Sequence, residues 1–507
     1  MRNTLPNHLG PLLIFASLTT AFPWAVAQDA DTVEVHAYIN TGALNRIPEG
    51  SNPERLAEVN AYIAEQTGVE IIPSLPPGGS AAVEKLNLML SSPNERLDVF
   101  QASWTEYAPI ALPLNDLLDQ HGQNILKAWP EESWAKVTDA DGNIMAIPRF
   151  APSAVYPVWV RTDLLEALDL SMPTTVDELE TFLEAYKAQD PQGIPLLGNL
   201  GGLQMALLGA FTEYGNSNWL DPEDNRLKPA VLQPGYEDWV AKMADWYAKG
   251  YIYPDTLGVS DTGQLRDVVG GQKVGAGATW YSVFTLALPA LQEVNPEIDY
   301  EFTNLTGPEG QAQTLAAPAS SGIIISQRAP SPEAIIRFID WQYENPPTNN
   351  LTAFYGIEGK DWEYVEEAEG AEDLVPGTRL VQVEAPQTTG YAGELNWSFG
   401  QPLEAEYVNV IDGKVDKHSQ YLNCCIADLS AGKLPVDAAV AYEESEIQQV
   451  FPNQQDFDRY LEEGLTLFIN GARPMSDWPA FLEEMERVGL EQWIEAYTAA
   501  FNVQQEQ

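Results

Sequence analysis

The stretch "VGAGATWYSVF" (274–284) places two glycines shortly before a pair of large aromatic residues, Trp280 and Tyr281. As a phosphate-binding loop it lacks a third glycine, and no helix start is predicted after it. Glycine packs poorly inside a strand and often marks a close approach of backbone or ligand. Two interpretations stay open: a buried strand, or the wall of a ligand site in which the indole of Trp280 covers the apolar face of a sugar ring.

The stretch "GYAGELNWSFG" (390–400) is a second candidate for ligand contact. Its glycines bracket Tyr391, Asn396 and Trp397 in a predicted loop. Loops carry binding groups on a rigid scaffold. A buried anchoring tryptophan would give the same pattern, so both interpretations stay open here too.

Three further candidates stand at the ends of predicted strands. Trp104 directly follows the strand "LDVFQAS" (97–103), and Tyr38 and Asn40 end the strand "DTVEVHAYIN" (31–40). Proteins with α/β sheets bind ligands at the carboxyl ends of their strands. We therefore expect these side chains at the ligand site.

The elements that would position these residues alternate between strand and helix. Strands are predicted at 31–40, 69–75 and 97–103, with amphipathic helices at 52–69 and 81–93 between them. This alternation predicts an α/β lobe with a largely parallel sheet.

Later in the chain the pattern becomes mostly helical. A hairpin with an Asp-Gly turn is predicted at 138–148, and helices are predicted at 174–189, 236–250, 331–344 and almost throughout 434–502. The helix at 174–189 begins with a capping box whose cap is a threonine. The helix at 331–344 begins with Ser331 as its cap. Without internal repeats or linkers, the chain is interpreted as one integrated, multi-lobed protein.

The composition is strongly acidic. The chain has 26 Lys and Arg residues against 74 Asp and Glu residues, a formal net charge of −48. Nucleic acids and anionic membrane surfaces are polyanions and therefore poor partners. The distance over which charges act on one another, the screening length, falls from ~10 Å at 0.1 M salt to about 3 Å at 1 M. A halophilic or marine source would relieve the repulsion among the carboxylates.

No catalytic or metal-binding motif stands out, and neither an enzyme nor a cofactor is predicted. With 74 acidic residues, a glycosidase acid pair cannot be recognised from sequence. The four His residues are scattered. Cys424 and Cys425 are adjacent, where a disulfide would be strained. They are interpreted either as two buried side chains or as a soft-metal or redox pair.

The N-terminus has the pattern of a secretory signal peptide. Residues 1–27 contain Arg2, a short apolar run and a final "AVA", which predicts cleavage after Ala27. The apolar run is too short to span a bilayer. The mature protein is expected to be exported and soluble.

Four stretches resemble one family, the extracellular solute-binding proteins of ABC transporters. The segment 141–187 is similar to the family's lobe-crossing region, and "WYAKGYIYPD" (246–255) to its aromatic-rich helix end. The segment 331–365, which contains "YGIEGKDW" (355–362), resembles its most specific signature, and 467–502 its C-terminal helical pair. The resemblance covers nearly the whole mature chain. The size of the chain and its C-terminal helices point to the large, oligosaccharide-binding branch of the family, which includes alginate-oligosaccharide binders.

The resemblance implies an α/β fold of the type II periplasmic-binding-protein class, with two lobes, a hinge of several crossing strands and a helical C-terminal extension. Lobe 1 would comprise 28–150 and a return segment at 306–355. Lobe 2 would begin with 151–305, and 356–507 would complete it and add the C-terminal helices.

The family's architecture also implies roles for three candidates. Trp280 would end a strand that runs to the cleft and would face the sugar. Arg149 and Tyr156 would lie on the first crossing between the lobes, where they could hydrogen-bond a ligand. A structural ion pair of Arg149 with a carboxylate is the alternative.

The sequence departs from the alginate-binding relatives in one respect. Those relatives carry an EF-hand-like calcium loop after the helix that corresponds to 176–189. Here "QDPQGIPLLG" (189–198) has no further Asp, Asn or Glu at calcium-loop spacing after Asp190, so no metal is predicted there. The scarcity of Lys and Arg favours a neutral oligosaccharide over a uronate.

The expected protein is thus a monomeric, periplasmic binding subunit of an ABC importer. It would capture an oligosaccharide between two lobes and deliver it to the permease subunits. A secreted polysaccharide-degrading enzyme and a sugar sensor unconnected with uptake are the alternatives.

Overall fold

The computed structural model describes most of the mature chain. The described residues are 32–38, 53–74, 81–92, 94–148, 157–213, 215, 218–259, 262–271, 273–279, 282–307, 321–384, 407–420, 423 and 444–505. Within them, no helix is both long enough and apolar enough to cross a membrane.

Strands and helices are numbered in chain order. The strands are β1 (Val33–Tyr38), β2 (Val69–Pro73), β3 (Val99–Ser103), β4 (Ile147–Pro148), β5 (Val158–Arg161), β6 (Ile194–Gly198), β7 (Trp219–Asp221), β8 (Arg226–Lys228), β9 (Val274–Ala278), β10 (Tyr300–Thr303), β11 (Ser321–Ile325), β12 (Trp362–Val365), β13 (Arg379–Val383), β14 (Tyr407–Ile411) and β15 (Lys414–Val415). The helices are α1 (Pro53–Thr67), α2 (Ala81–Ser91), α3 (Trp104–Tyr107), α4 (Asn115–His121), α5 (Gln123–Ala128), α6 (Glu131–Ala135), α7 (Thr162–Leu168), α8 (Val176–Gln189), α9 (Leu200–Leu207), α10 (Tyr236–Ala248), α11 (Thr262–Gly270), α12 (Ser282–Val294), α13 (Pro332–Glu344), α14 (Thr348–Tyr355), α15 (Lys417–Gln420), α16 (Glu444–Val450), α17 (Gln454–Ile469), α18 (Trp478–Val488) and α19 (Leu490–Gln505).

Lobe 1 is built on a five-stranded sheet with the order β2-β1-β3-β11-β4. Strand β1 pairs in parallel with β2 and β3, which confirms the sheet predicted from the strand–helix alternation. The returning strand β11 pairs antiparallel with β3 and β4. Apolar side chains cover both faces, with α1 and α13 packed on one and α2 and α3 on the other.

Lobe 2 is built on a four-stranded sheet with the order β10-β5-β9-β6. Strands β6 and β9 are parallel, and β5 is antiparallel to both of its neighbours. One face packs against α11 and α12, and the other against α8, α9 and α10. Helices α17, α18 and α19 join that second core, so the C-terminal helical region stabilises lobe 2.

A third sheet, with the order β12-β13-β14-β15, is separate from the sheets of both lobes. It begins directly after α14, which packs on α13 of lobe 1. The described strands between 362 and 415 thus form a sheet of their own. The boundaries assigned to the lobes from sequence stay a prediction.

Local sequence signals explain where two helices start and where one hairpin turns. The Oγ1 atom of Thr175 accepts a hydrogen bond from the backbone N–H of Glu178, which confirms the predicted cap of α8. Ser331 is the N-cap of α13 and Pro332 its first residue, as predicted, although the side chain of Ser331 makes no capping hydrogen bond. The Asp-Gly turn is confirmed by the antiparallel bridge between Thr138 and Ile144. The strand that follows it, β4, pairs with β11.

Candidate functional site

The chain leaves the lobe 1 sheet after β4 and returns to it at β11, and these two points lie at the same edge of the sheet. Ser103, the last residue of β3, pairs with Ser321, the first residue of β11. At the end of β4, Pro148 pairs with Gly322. The chain therefore leaves lobe 1 and returns to it at the same edge.

The matching edge of lobe 2 is formed by β5, β6, β9 and β10. Ala278, the last residue of β9, pairs with Val158 at the start of β5 and with Gly198 at the end of β6. Thr303, at the end of β10, also pairs with Val158. The two connections that follow β4 and precede β11 thus join these two edges. The space beside the crossings is the candidate ligand site, because open α/β sheets bind ligands at such edges.

The glycines of β9 are explained by side chains of the core. Strand β9 is buried throughout. A Cβ atom on Gly275 would lie 2.9 Å from the ring of Tyr186, and one on Gly277 would overlap the indole of Trp159. Of the two interpretations left open for this stretch, the buried strand is the one observed for 274–278: its glycines make room for two aromatic rings inside lobe 2.

The end of β9 is held firmly. The hydroxyl of Thr279 accepts a hydrogen bond of 3.1 Å from the indole N–H of Trp159, and Thr279 is 1% exposed. Helix α12 begins at Ser282, so the expectation that no helix follows was wrong. In the sequence, Trp280 and Tyr281 come between Thr279 and Ser282. Both lie outside the described residues.

Two predicted site residues lie in the core of lobe 1 instead of at its surface. Trp104 and Tyr38 are each 1% exposed. The indole N–H of Trp104 donates to the backbone carbonyl of Lys136 at 2.8 Å, and the hydroxyl of Tyr38 donates to that of Ala82 at 2.7 Å. Burial raises the pKa of Tyr38 to about 12. In this conformation the polar atoms of both side chains are used within the protein, and neither side chain offers a face to ligand.

The other predicted site residues fall outside the described part of the chain. They are Asn40, Arg149, Tyr156, Tyr391, Asn396 and Trp397. Their roles stay predictions.

The sequence analysis missed the stretch "GNLGG" (198–202), which adjoins the end of β9. The side chain of Asn199 caps α9 by accepting a hydrogen bond of 2.9 Å from the N–H of Gly202. A Cβ atom on Gly198 would lie 2.7 Å from the carbonyl oxygen of Ala278. An Asn cap between glycines after a buried strand was the available signal for a tight turn at this edge.

The segment after α8 is an ordinary turn. The Asp190 carboxylate accepts a hydrogen bond of 3.0 Å from the N–H of Gln192, and its backbone carbonyl accepts one from Gly193. Over the described ranges, no group of three or more His, Cys, Asp or Glu side chains is arranged to hold a metal ion. Cys424 and Cys425 lie outside these ranges.

The carboxyl groups with displaced pKa values are all displaced downward within the described part of the chain. They are Glu58, Glu178, Glu180, Asp224 and Glu484. Burial opposes ionisation of Glu180, but hydrogen bonds from Lys249 and Lys242 outweigh it and lower its pKa to about 2. A glycosidase general acid needs a raised pKa, and these carboxylates are matched to cations or N–H donors instead.

The most specific sequence motif, "YGIEGKDW", forms a structural turn. The buried carboxylate of Asp361 accepts hydrogen bonds from the Arg55 guanidinium and from the N–H of Ile357, the latter at 2.6 Å. The indole of Trp362 donates to the carbonyl of Gly356 at 2.9 Å. Gly356 has a φ of 105°, which favours glycine. The motif therefore joins α14 to the third sheet.

The family follows from a comparison with known proteins. Residues 50–348 match the model of the bacterial extracellular solute-binding proteins. The chain belongs to this family. The resemblance found in the sequence is confirmed.

Individual relatives share its fold over almost the whole length. The fructooligosaccharide ABC transporter substrate-binding protein FusA of Streptococcus pneumoniae is 23% identical over 436 residues, which are 78% of this chain and 76% of FusA. The crystal structure of the alginate-binding protein AlgQ2 without calcium ion has a TM-score of 0.65 at 19% identity, over 94% of this chain and 99% of AlgQ2. FusA in complex with kestose has a TM-score of 0.62 at 19% identity, over 93% of this chain and 99% of FusA. This likeness confirms the predicted two-lobed α/β fold.

Proposed function

We propose that this protein is the exported substrate-binding subunit of an ABC importer and that it captures an oligosaccharide between its two lobes. The observation that carries the proposal is the position of β9. This buried strand ends at the lobe 2 edge beside the crossings. Thr279 fixes its end directly before Trp280 and Tyr281. An indole offers a flat apolar surface to the C–H face of a sugar ring.

Family membership and the relatives support the rest of the proposal. Members named for fructooligosaccharide and alginate binding share the fold. In the proposed mechanism, Trp280, Tyr281 and Trp397 stack on sugar rings, while Arg149, Tyr156, Tyr391, Asn396 and Asn40 hydrogen-bond the hydroxyls. The lobes close on the ligand, and the closed form docks on the membrane permease.

The signal peptide at 1–27 directs the protein to the periplasm, where it acts as a monomer without catalytic turnover. The net charge of −48 favours a neutral ligand over a uronate. A buried ligand carboxylate needs nearby cations, and Arg149 is the one cation among the proposed contacts.

Substitution of Trp280 tests the proposal. Trp280→Ala should weaken binding of the favoured oligosaccharide by about 2 kcal/mol or more, roughly 30-fold, as calorimetry would measure. The matched control is Trp219→Ala in the β7–β8 hairpin, whose ring centroid lies 5.5 Å from the ammonium of Lys228. Equal affinity in the folded Trp280 variant would remove this residue from the site. Turnover of any oligosaccharide by the wild-type protein would favour the enzyme alternative.

A further inference from the structure

The third sheet carries a groove of its own, with a volume of 590 Å³. The groove lies between the end of β12 and the connection that leads into β13. Its lining includes the apolar side chains of Leu374, Val375 and Pro376, and also Tyr364 and Arg379. This volume falls in the range of small-ligand sites, roughly 300 to 1,000 Å³.

The walls of the groove are fixed by hydrogen bonds. The side chain of Asn423 accepts from the N–H of Val375 at 3.0 Å and donates to the hydroxyl of Thr378 at 2.8 Å. The Tyr364 hydroxyl lies 2.9 Å from that of Thr348. A ligand would therefore meet a preformed surface and would not have to order a loop.

Arg379 is the cation that lines the groove. Its guanidinium lies over the ring of Tyr364, 5.7 Å from the centroid, and one nitrogen is 3.4 Å from the Tyr364 hydroxyl. No carboxylate of the described residues lies within ion-pair distance of it, whereas Arg55, Arg161 and Arg226 all have carboxylate partners. The guanidinium is planar and keeps N–H donors directed away from the ring, available to a ligand.

The groove combines three features that a sugar ring uses. Leu374, Val375 and Pro376 offer an apolar wall to its C–H face, Arg379 offers hydrogen-bond donors, and Glu366 on the rim offers acceptors. Further Glu residues stand nearby in the sequence, at 363, 367, 369 and 372. Their field disfavours an anionic ligand.

We propose that this groove is a second carbohydrate site, which takes a short neutral saccharide on the platform formed by Tyr364 and Arg379. The inference rests on the proposed function, because it assumes that the protein meets sugars. The groove is separate from the sheet edges at which the first site is proposed. Since the groove is open to solvent, its affinity is lower than that of a cleft between two lobes.

The test is a calorimetric titration of the full-length mature protein with neutral and charged saccharides. Kestose and maltotriose serve as neutral probes and an alginate trisaccharide as the charged one. Wild-type protein should show two classes of sites for a neutral probe. Arg379→Ala should weaken the lower-affinity class at least about tenfold and leave the other unchanged, whereas Trp280→Ala should have the reverse effect. Lys414→Ala, an exposed cation of the same sheet outside the groove, is the control and should leave both classes intact.

Each result separates this inference from the proposed function. A single class of sites, lost in Trp280→Ala and unchanged in Arg379→Ala, would overturn the groove and support the first site. Tighter binding of the alginate trisaccharide in the Arg379-dependent class would overturn the assignment to neutral sugars. No heat from any probe would contradict both proposals.

Discussion

On its lobe 1 side, the third sheet is held by buried groups. Asp361 and Arg55 are 1% and 5% exposed and form an ion pair between the turn before β12 and helix α1. Lys360 extends this contact to Glu58 at 2.6 Å. We refer to Arg55, Glu58, Lys360 and Asp361 as the clasp. A hydrogen bond of 2.7 Å from Asn409 to the Tyr355 hydroxyl adds a second attachment further along the sheet.

On its lobe 2 side, the described polar contacts come from Lys417 in α15, which directly follows the sheet. Lys417 donates to Asp299, to Glu301 and to the carbonyl of Tyr300 at 2.7 to 2.9 Å. Its two carboxylate partners are 44% and 55% exposed. Exposed ion pairs are screened by water and salt and stabilise little, whereas a buried charge that loses its partner is costly.

This difference indicates which way the molecule bends. We infer that the third sheet moves with lobe 1 as one body, and that a change in the position of lobe 2 breaks or reforms the contacts of Lys417. The clasp would then explain why "YGIEGKDW" is such a specific motif: it fixes one side of the hinge. The three predictions that follow test the two junctions separately.

The largest effect is expected at the clasp. Asp361→Ala leaves the Arg55 guanidinium without its buried partner and should lower the free energy of unfolding by about 3 to 5 kcal/mol. Denaturant titration followed by circular dichroism would measure it. The double variant Arg55→Met with Asp361→Asn removes the buried charge and keeps an acceptor for the Ile357 N–H, so it should recover part of the loss. A loss below about 1 kcal/mol in the single variant, the size of an exposed pair, would contradict the buried clasp.

A smaller effect is expected at the opposite junction. Lys417→Met should lower the free energy of unfolding by about 1 kcal/mol or less, and this loss should shrink as NaCl is raised toward 1 M, because salt screens exposed charges. Lys414→Met, whose partner Glu369 lies near it in the same unit, is the control. A loss at Lys417 that matches the Asp361 variant, or that persists in high salt, would remove the contrast between the two junctions.

The smallest change in stability is expected at Glu58 of the clasp. Hydrogen bonds from Lys360 and then Arg55 lower the pKa of Glu58 from its usual value of 4.5. Ionised Glu58 therefore stabilises the fold above that value, and the contribution is lost as the pH falls through the lowered pKa.

Glu58→Gln should reduce the melting temperature slightly at pH 7, and the difference should vanish in acid below the lowered pKa. Glu65→Gln, on the same helix but outside the clasp, is the control. A difference that stays constant with pH would show that Glu58 acts through packing.

The sequence predicted the lobes better than the contacts between them. Strands β1, β2 and β3 and helices α1 and α2 follow from local periodicity, so they were placed within a few residues. The sequence left the role of Gly275 and Gly277 undecided, because these glycines accommodate the rings of Tyr186 and Trp159, which come from distant parts of the chain. No local pattern shows such packing.

The third sheet was not predicted as a unit, because β12 to β15 are short and joined by long connections. Trp104 has the expected place at the end of β3, yet its short helix turns the indole into the core. Strand ends locate a site more reliably than they identify which side chains point into it.

The most direct test of the whole account is a set of spin-label distances measured with and without oligosaccharide. Exposed positions serve as labels: Leu88 in lobe 1, Val294 in lobe 2 and Ile411 in the third sheet, at 69%, 68% and 49% exposure. Each is changed to Cys in a background in which Cys424 and Cys425 are replaced by Ala. The account predicts that ligand changes the Leu88–Val294 distance and leaves Leu88–Ile411 unchanged. An unchanged Leu88–Val294 distance at saturating ligand, or an equal change in both pairs, would contradict it.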